Sequence, residues 1–310
     1  MKRCPITYDI ISEQENYSLR GLRLLSPQLK HLNPLELSAD EQRKEALDRV
    51  GKMSVQGVQK KLSAQLKITA GHFEIVDQKG HYILKPQSDL YPELPENEAL
   101  TMSLASMVGI EVPVHGLAYS KDKSMTYFVK RFDRFGHNKK LALEDFAQLS
   151  NGDRHTKYNS SMEKVITVIE NFCTFPKIEL VKLFKLTLFN FLIGNEDMHL
   201  KNFSLITKNK KITLSPAYDL LNSTIALKNA SEEIALPIRG KKKNLTKRDF
   251  FDYFAVERLS LNQKIISEIL QEFERAIPKW QELICISFLS PEMREKYLLL
   301  LKARCEQLDF

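Results

Sequence analysis

A polar loop at residues 194–202 carries the side chains with the clearest catalytic potential in the sequence. The loop follows directly on a very apolar segment, 180–193. Asp197 and Asn202 lie five positions apart, a spacing that suits an acid accepting the proton of an alcohol and an amide reaching a magnesium ion on the phosphates. The loop therefore predicts phosphoryl transfer to a hydroxyl group.

A second carboxylate is expected beside this loop. Two short segments, 203–207 and 211–214, flank a Lys/Asn turn and predict a hairpin that returns Asp219 to the side of Asn202. Carboxylate and amide oxygens are hard ligands that suit magnesium and not zinc. A solvated turn with a helix-capping Asp is the alternative that the spacing alone leaves open.

The amino-terminal half offers weaker signals for phosphate binding. The turn at 54–61 has one glycine and two lysines, so it could cover phosphates or simply be an exposed basic turn. Lys85 ends an apolar segment, where a kinase needs a lysine for the α- and β-phosphates. Glu98 could orient Lys85, although lysines at strand ends are common.

Two further polar features have simple interpretations. His199 could be a metal ligand, but a lone loop histidine is more often a hydrogen-bonding residue, because zinc needs three or four imidazole or thiolate ligands. The basic run containing Lys241, Lys242 and Lys243 is typical of a solvated loop. It could instead contact RNA or an acidic protein surface.

The composition is that of an ordinary globular chain. It has 310 residues, 43% of them hydrophobic, and a formal charge of +7, which is compatible with an acidic partner without establishing one. The four cysteines lie far apart, which argues against a zinc site and favours a cytoplasmic, reducing compartment. The N-terminus is too polar for a secretory signal, and the segment 180–193 is too short for a bilayer, so no membrane association is expected.

Hydrophobic periodicity separates two predicted lobes, 1–135 and 136–310. In the first, helices are expected at 38–49 and 95–108 and strands at 62–68, 73–76, 82–85, 112–114, 117–120 and 125–132. In the second, helices are expected at 143–149, 161–172, 178–193, 247–254, 262–276 and 291–308. We therefore predict the α+β class and a two-lobed, protein-kinase-like fold with a strand-rich N-lobe and a helical C-lobe.

The sequence resembles the HipA family of bacterial toxin kinases. The matching segments keep their order along the chain: 54–61, 82–85, 97–99, 129–134, 194–204 and 215–219. The resemblance implies that Asp197 is the catalytic base and that Asn202 and Asp219 hold Mg²⁺. It assigns ATP binding to both metal ligands and to Gln56, Gly57, Val58, Gln59, Lys60, Lys61, Lys85, Lys130, Arg131, Phe132, His199, Lys201 and Tyr218. Residues 130–132 would form the adenine hinge, and Ser54 would be autophosphorylated, which would displace the turn and switch the enzyme off.

The chain departs from the family pattern in three respects. Full-length HipA proteins carry an additional amino-terminal domain for which this chain is too short, so it resembles the short HipT type, in which the separate protein HipS replaces that domain. Segments 4–8 and 17–21 also look like that type. Lys130 stands where an acidic residue is expected, and Met198 stands where a basic residue is common.

The resemblance implies a serine/threonine kinase that uses ATP to phosphorylate an aminoacyl-tRNA synthetase and stop translation. A HipB-like DNA-binding antitoxin and a HipS-like small antitoxin would be its partners, and the chain itself is not expected to bind a nucleic-acid sequence. The alternatives are a small-molecule kinase of aminoglycoside or lipid type and a nucleotide-binding module without catalysis. A metal-dependent phosphohydrolase built on Asp197 and His199 would need further ligands close in the sequence.

Overall fold

Alternating apolar residues in the amino-terminal half form an antiparallel sheet in the computed structural model, which describes residues 1–49, 60–136, 139–150, 157–227 and 231–310. The described chain separates into two compact units. Unit 1 comprises Met1–Leu100, Pro113–Lys139 and Ile286–Ser290. Unit 2 comprises Thr101–Val112, Lys140–Cys285 and Pro291–Phe310. The lobe boundary between residues 135 and 136 stays a prediction.

The sheet of unit 1 has five strands in the order β2-β1-β3-β5-β4, all in antiparallel pairs. The strands are β1 (Leu62–Lys67), β2 (His72–Ile75), β3 (Tyr82–Lys85), β4 (His115–Tyr119) and β5 (Met125–Lys130). In this register Lys85 is the partner of Tyr127. The central strand β3 thus carries Lys85 at its end, where its side chain is buried.

Two helices and a hydrophobic cluster support this sheet. Helix α1 (Leu19–Leu25) begins at the N-cap Ser18, and helix α2 (Ala39–Asp48) begins at Ser38. Ser38 and Glu41 form a reciprocal capping box, which satisfies two backbone N–H groups at the start of α2. The cluster packs Leu22, Leu25 and Leu29 of the amino-terminal segment against the sheet, where its members include Leu62, Phe73, Tyr82, Leu84 and Phe128. Helix α3 (Leu94–Met107) follows β3 in the chain.

The helices of unit 2 surround one strongly apolar helix, α6 (Pro176–Ile193). It is buried over most of its turns, including Phe184, Phe189 and Phe191. The others are α4 (Phe146–Leu149), α5 (Met162–Phe172), α7 (Ser223–Ala226), a π-helix (Asp249–Arg258), α8 (Gln263–Cys285) and α9 (Pro291–Leu308). Within the described ranges, no helix has both the length and the apolar character needed to cross a bilayer.

A three-stranded antiparallel sheet of order β10-β9-β8 lies next to the predicted catalytic loop in the chain. Its strands are β8 (Ala142–Asp145), β9 (Ser204–Lys208) and β10 (Lys211–Leu214). Strands β9 and β10 form the hairpin that the sequence predicts, with Leu214 opposite Leu205. A two-stranded ribbon of β6 (Arg134–Phe135) and β7 (Lys139–Lys140) completes the described strands.

Three predicted elements are wrong or too short. Residues 143–149 are not one helix, because β8 pairs with β9 and Asp145 then caps the short α4 through a capping box with Gln148. Residues 112–114 form no strand: Pro113 has no N–H to donate, and the carbonyl of Val114 accepts from Lys130 just before β4 begins. The helix predicted to end at residue 276 continues through Pro278 to Cys285, because its apolar face extends to the buried Trp280 and Ile284.

Candidate catalytic site

The predicted catalytic loop begins where α6 ends at Gly194. The backbone of Gly194 is left-handed, with φ of +73°, a conformation that residues with a side chain adopt at a cost. Asn195 then locks the turn: its backbone N–H donates to the carbonyl of Asn190 and its side-chain amide donates to the Asn190 side chain, both at 2.8 Å. The Asn195 amide oxygen accepts the backbone N–H of Asp197 at 3.1 Å. A buried amide chain therefore sets the position of Asp197.

Asp197 and Asn202 are joined within the loop. The side-chain nitrogen of Asn202 donates to the backbone carbonyl of Asp197 at 2.8 Å, across a short 3₁₀ helix at Leu200–Asn202. Because the amide nitrogen is engaged in this way, the amide oxygen of Asn202 is the atom left for a ligand. That oxygen is a hard donor and fits a magnesium ion. The Asp197 side chain is 46% exposed, so its carboxylate is accessible to an acceptor group.

The hairpin brings Asp219 back to the loop through its neighbour Tyr218. The Tyr218 hydroxyl donates to the carbonyl of Lys201 at 2.9 Å. Since its single proton is engaged there, it accepts from the hydroxyl of Ser204 at 2.6 Å. Asp219 has a left-handed backbone, φ +54°, which is uncommon for a residue with a side chain and often marks functional sites. The structure thus brings the segment of Asp219 to the segment of Asn202.

His199 is a buried member of the loop. Its Nε2 atom lies 2.7 Å from the ammonium group of Lys157 and 3.9 Å from Oδ1 of Asp197. Burial lowers the pKa of His199, and the charge of Lys157 lowers it further against the opposing effects of Asp197 and Asp219. A neutral ring accepts a hydrogen bond from the Lys157 ammonium at Nε2, so Nδ1 carries the ring hydrogen. That atom is buried and has no hydrogen-bond partner among the described residues.

Sequence reasoning missed Lys157 and Tyr158. The Tyr158 hydroxyl donates a hydrogen bond to the carboxylate of Asp197, and its ring meets the ring of His199 edge-on at a centroid distance of 5.0 Å. Burial and the Asp197 carboxylate raise the pKa of Tyr158, so its phenol remains a donor at neutral pH. No local signal could have found this pair, because the contact joins segments some 40 positions apart.

Glu196 was also missed, although it lies beside the predicted base. Its carboxylate accepts from the Thr224 hydroxyl at 2.7 Å and from the backbone N–H of Glu232 at 3.2 Å. Its own N–H donates to the hydroxyl of Ser223 at 2.6 Å. These contacts tie the loop to the start of α7 and to Glu232, so Glu196 supports the loop.

Lys201 has a partner of its own. Its ammonium lies 2.9 Å from the Asp145 carboxylate, which is 15% exposed. Asp145 therefore both caps α4 and neutralises the lysine of the loop. The assignment of Lys201 to ATP stays a prediction.

In unit 1, Lys85 forms a buried ion pair with Glu98. The Lys85 ammonium lies 2.6 Å from the Glu98 carboxylate, and the two side chains are only 4% and 2% exposed. The pair joins β3 to α3, the contact that the sequence suggested. A lysine on this strand paired with a glutamate on the next helix is a required feature of active protein kinases.

The remaining predicted nucleotide contacts lie in two segments. Lys60 has its ammonium 3.9 Å from the Asp89 carboxylate, and Lys61 is half-buried. At the predicted hinge, the N–H of Lys130 donates to Val114 and that of Arg131 to His81, both at 2.8 Å, so both are engaged within unit 1. Arg131 also forms a bidentate pair with Asp133. The predicted nucleotide-binding residues Gln56, Gly57, Val58 and Gln59 and the predicted modification site Ser54 lie outside the described residues.

Comparison with known proteins identifies the family. The model of the HipA-like C-terminal domain matches residues 53–281. The chain belongs to this family. A relative from Haemophilus influenzae, named "Putative kinase", is 31% identical over 315 residues and is covered over 89% of both chains.

Two solved structures show that this HipA-like chain has a protein-kinase-like fold, as predicted. One is the Shewanella oneidensis MR-1 toxin–antitoxin complex of HipA, HipB and operator DNA, with a TM-score of 0.69 and 21% identity. That match covers 89% of this chain and 73% of the other. The other is the Helicobacter pylori proinflammatory kinase CtkA, with a TM-score of 0.53 and 18% identity, covering 74% of this chain and 88% of that one. The predicted α+β class is confirmed, while the HipT type stays a prediction.

Proposed function

We propose that this chain is a serine/threonine protein kinase that transfers the γ-phosphate of ATP to a serine hydroxyl, with Asp197 as the general base. The observation that carries the proposal is the hydrogen bond from the Asn202 amide to Asp197, in a loop to which Tyr218 fixes the neighbouring Asp219. This arrangement supports the assignment of Asp197 as the base and of Asn202 and Asp219 as the oxygen ligands. Family membership and the kinase names of relatives add support.

In the proposed step, Asp197 accepts the proton of the serine hydroxyl as the serine oxygen forms a bond to the γ-phosphorus. The bond between that phosphorus and the β,γ-bridging oxygen breaks, and ADP leaves with the bond electrons. A magnesium ion held by Asn202, Asp219 and phosphate oxygens would neutralise charge on the phosphates. No cluster of three His, Cys, Asp or Glu side chains able to hold a metal occurs in the described parts of the chain, so phosphate oxygens would complete the shell.

The remaining nucleotide contacts are proposed by residue. Lys85, oriented by Glu98, would contact the α- and β-phosphates, as the strand lysine of kinases does. The turn at 56–61 would cover the phosphates, and residues 130–132 would contact adenine. His199, Lys201 and Tyr218 would complete the set from the catalytic loop and the hairpin.

We further propose a toxin role in the cytoplasm, with a protein of the translation machinery as substrate. The substrate would be an aminoacyl-tRNA synthetase, and the chain would be held inactive by a HipB-like and a HipS-like antitoxin, as in the HipT type. The HipA relative of known structure is in a complex with HipB and operator DNA, which favours an antitoxin partner. Autophosphorylation of Ser54 would switch the enzyme off.

A phosphotransfer assay tests the kinase proposal directly. Purified chain, γ-labelled ATP and magnesium are incubated with a cell lysate, and label is followed in protein and in small solutes separately. Asp197→Asn should lower transfer by 10²–10⁴-fold. Asp252→Asn, at an exposed position of the π-helix, is the matched control and should behave as the wild type. Equal transfer by Asp197→Asn, or label confined to small solutes, would overturn the proposal.

A further inference from the structure

Lys157 and Tyr158 lie against the catalytic loop, although no predicted site residue comes from their segment. The backbone N–H of Leu200 donates to the carbonyl of Lys157 at 3.3 Å, so the main chain attaches this segment to the loop. The ring of Tyr158 packs on His199 and its hydroxyl donates to Asp197. The position of Lys157 is therefore set by the loop that carries the base.

The Lys157 ammonium group has hydrogen-bonding capacity left over. It carries three N–H donors. One of them meets Nε2 of His199 at 2.7 Å, and the charge lies 4.8 Å from the centroid of the Tyr158 ring. Among the residues that the structure describes, no carboxylate forms a salt bridge with it. The rings of His199 and Tyr158 thus contact a cation to which the described residues supply no carboxylate partner.

Lys201, in the catalytic loop, differs from Lys157 in that a carboxylate neutralises its charge. Its ammonium lies 2.9 Å from the Asp145 carboxylate, and that carboxylate is well shielded from water. Its charge is already compensated by the fold. Lys157, which is not compensated among the described residues, is the better placed of the two to meet an anion from outside.

The anion that fits this position is a phosphate. His199 links Lys157 to the base, because the same Nε2 atom lies 3.9 Å from Oδ1 of Asp197. In phosphoryl transfer the base touches the attacking oxygen, and that oxygen approaches the γ-phosphorus in line with the leaving group. A cation that is separated from the base by one imidazole ring is therefore beside the oxygens of the phosphoryl group being transferred. Fixed positive charge at that position contributes most to stabilising the transition state.

We propose that Lys157 is a catalytic residue that binds the phosphoryl group being transferred. The inference rests on the proposed kinase function and adds to it a cation that comes from outside the catalytic loop. The simpler reading, in which Lys157 only orients His199, gives a different pattern of nucleotide affinities. A lysine that touches the γ-phosphate distinguishes ATP from ADP, whereas a lysine that only supports the loop does not.

The test measures binding and transfer in the full-length chain. Lys157→Met keeps the length of the side chain and removes its charge, Lys157→Arg keeps the charge, and Lys208→Met is the control at an exposed position of β9. Calorimetry gives the affinities for magnesium–ADP and for the non-hydrolysable β,γ-imido analogue of ATP. Single-turnover labelling gives the transfer rate, and circular dichroism checks folding, with Lys157→Gln as a second neutral variant.

We expect Lys157→Met to lower the transfer rate by about 100-fold. Its affinity for the ATP analogue should fall by about 10-fold, while its affinity for ADP stays within about 2-fold of the wild type. Lys157→Arg should recover most of the loss, and Lys208→Met should show none. An unchanged transfer rate, or equal losses for both nucleotides, would overturn the role of Lys157.

The binding arm separates this inference from the kinase proposal. If the wild type binds both nucleotides but transfers no phosphate, the kinase proposal fails, and Lys157 is still judged by the ratio of the two affinities. If the wild type transfers phosphate and Lys157→Met matches it, only the inference about Lys157 fails. If the wild type binds neither nucleotide, both are wrong.

Discussion

The side-chain nitrogen of Asn202 donates a hydrogen bond to the backbone carbonyl of Asp197, with 2.8 Å between the two atoms. A second hydrogen bond runs from the backbone N–H of Asn202 to the carbonyl of His199 at 2.9 Å. Together the two bonds close the loop between residues 197 and 202. One amide thus serves both halves of the proposed chemistry. Its nitrogen fixes the main chain of the base, and its oxygen is left for the metal.

Asn202→Ala should therefore weaken magnesium use as well as the loop. We expect the magnesium concentration for half-maximal transfer to rise by about 10-fold or more, because one of the two proposed protein ligands is lost. The measurement is a magnesium titration of transfer rate, with Asp197→Ala as the comparison. High magnesium should restore part of the rate in Asn202→Ala and none in Asp197→Ala, and the same response in both variants would contradict the division of roles.

Tyr158 occupies the hydrogen-bonding position that an acceptor alcohol needs, because its hydroxyl already donates to the Asp197 carboxylate. Tyr158→Phe should lower KM for the protein substrate by about 10- to 100-fold, since a hydrogen bond to a charged group contributes about 1.5–3 kcal/mol and the substrate no longer competes with it. Steady-state kinetics with varied protein substrate checks this.

A second tyrosine supplies the control for that experiment. Tyr253 donates to the Glu163 carboxylate at 3.0 Å, away from the catalytic loop, so Tyr253→Phe removes a similar bond without touching the base. Its KM should match that of the wild type. A rise of KM in Tyr158→Phe would show instead that the phenol helps to bind the substrate.

Gly194 is needed both for its backbone conformation and for its lack of a side chain. A Cβ atom there would lie 2.3 Å from Leu300 and 2.9 Å from Thr224, closer than real Cβ atoms approach. Gly240 has a similar φ of +75° but nothing within 4 Å of its Cβ position. Gly240→Ala should cost about 1–2 kcal/mol for the left-handed backbone, and Gly194→Ala should cost clearly more. Equal unfolding midpoints for the two variants would contradict the packing argument.

The sequence was sufficient where a feature depends on neighbours along the chain. The hairpin of β9 and β10 follows from two apolar segments around a polar turn, and the end of α6 follows from a glycine after an apolar run. The pairing of Lys85 with Glu98 was within reach because a strand end and the next helix are close in sequence. These are local patterns, and local propensity was not opposed by distant contacts.

The features that the sequence did not reveal depend on distant partners. Residues 142–145 are a strand because β9, some 60 positions later, supplies the hydrogen bonds. Lys157 and Tyr158 belong to the site because their segment folds back on His199 and Asp197. The hydrophobic periodicity of a short segment carries no information about partners that are distant in the sequence. For this reason a helix was predicted at 143–149.

The buried pair of Lys85 and Glu98 allows stability and function to be separated. Glu98→Ala removes the carboxylate that lies 2.6 Å from a buried ammonium group and should destabilise the protein by about 3–5 kcal/mol. The double change Lys85→Met with Glu98→Leu removes both charges and should recover much of that stability. Nucleotide affinity should remain low in the double variant, because no lysine is left for the phosphates.

Thermal unfolding and nucleotide titration of the wild type, Lys85→Met, Glu98→Leu and the double variant form a complete cycle. Full nucleotide affinity in the double variant would show that Lys85 has only a structural role. Additive losses of stability would show that the contact between the two side chains contributes little to the fold.

Glu96, two positions before Glu98 on α3, predicts a dependence of stability on pH. Burial raises the pKa of Glu96 to about 7, although two hydrogen bonds from the Gln87 amide act in the opposite direction. Because the folded protein binds this proton more tightly than the unfolded chain, its stabilising effect is complete below the ordinary value of about 4.5. It is lost as the pH rises from there through 7.

Glu96→Gln removes that titration and should change the pH profile of stability. At pH 5 the variant should unfold near the wild-type midpoint, and at pH 8 it should be the more stable of the two, by up to about 3 kcal/mol from the pKa shift. Chemical denaturation at both pH values measures the difference. Glu282→Gln, at an exposed position of α8, is the control carboxylate. A difference between Glu96→Gln and the wild type that does not grow with pH would mean that Glu96 is already ionised in the folded protein at pH 5.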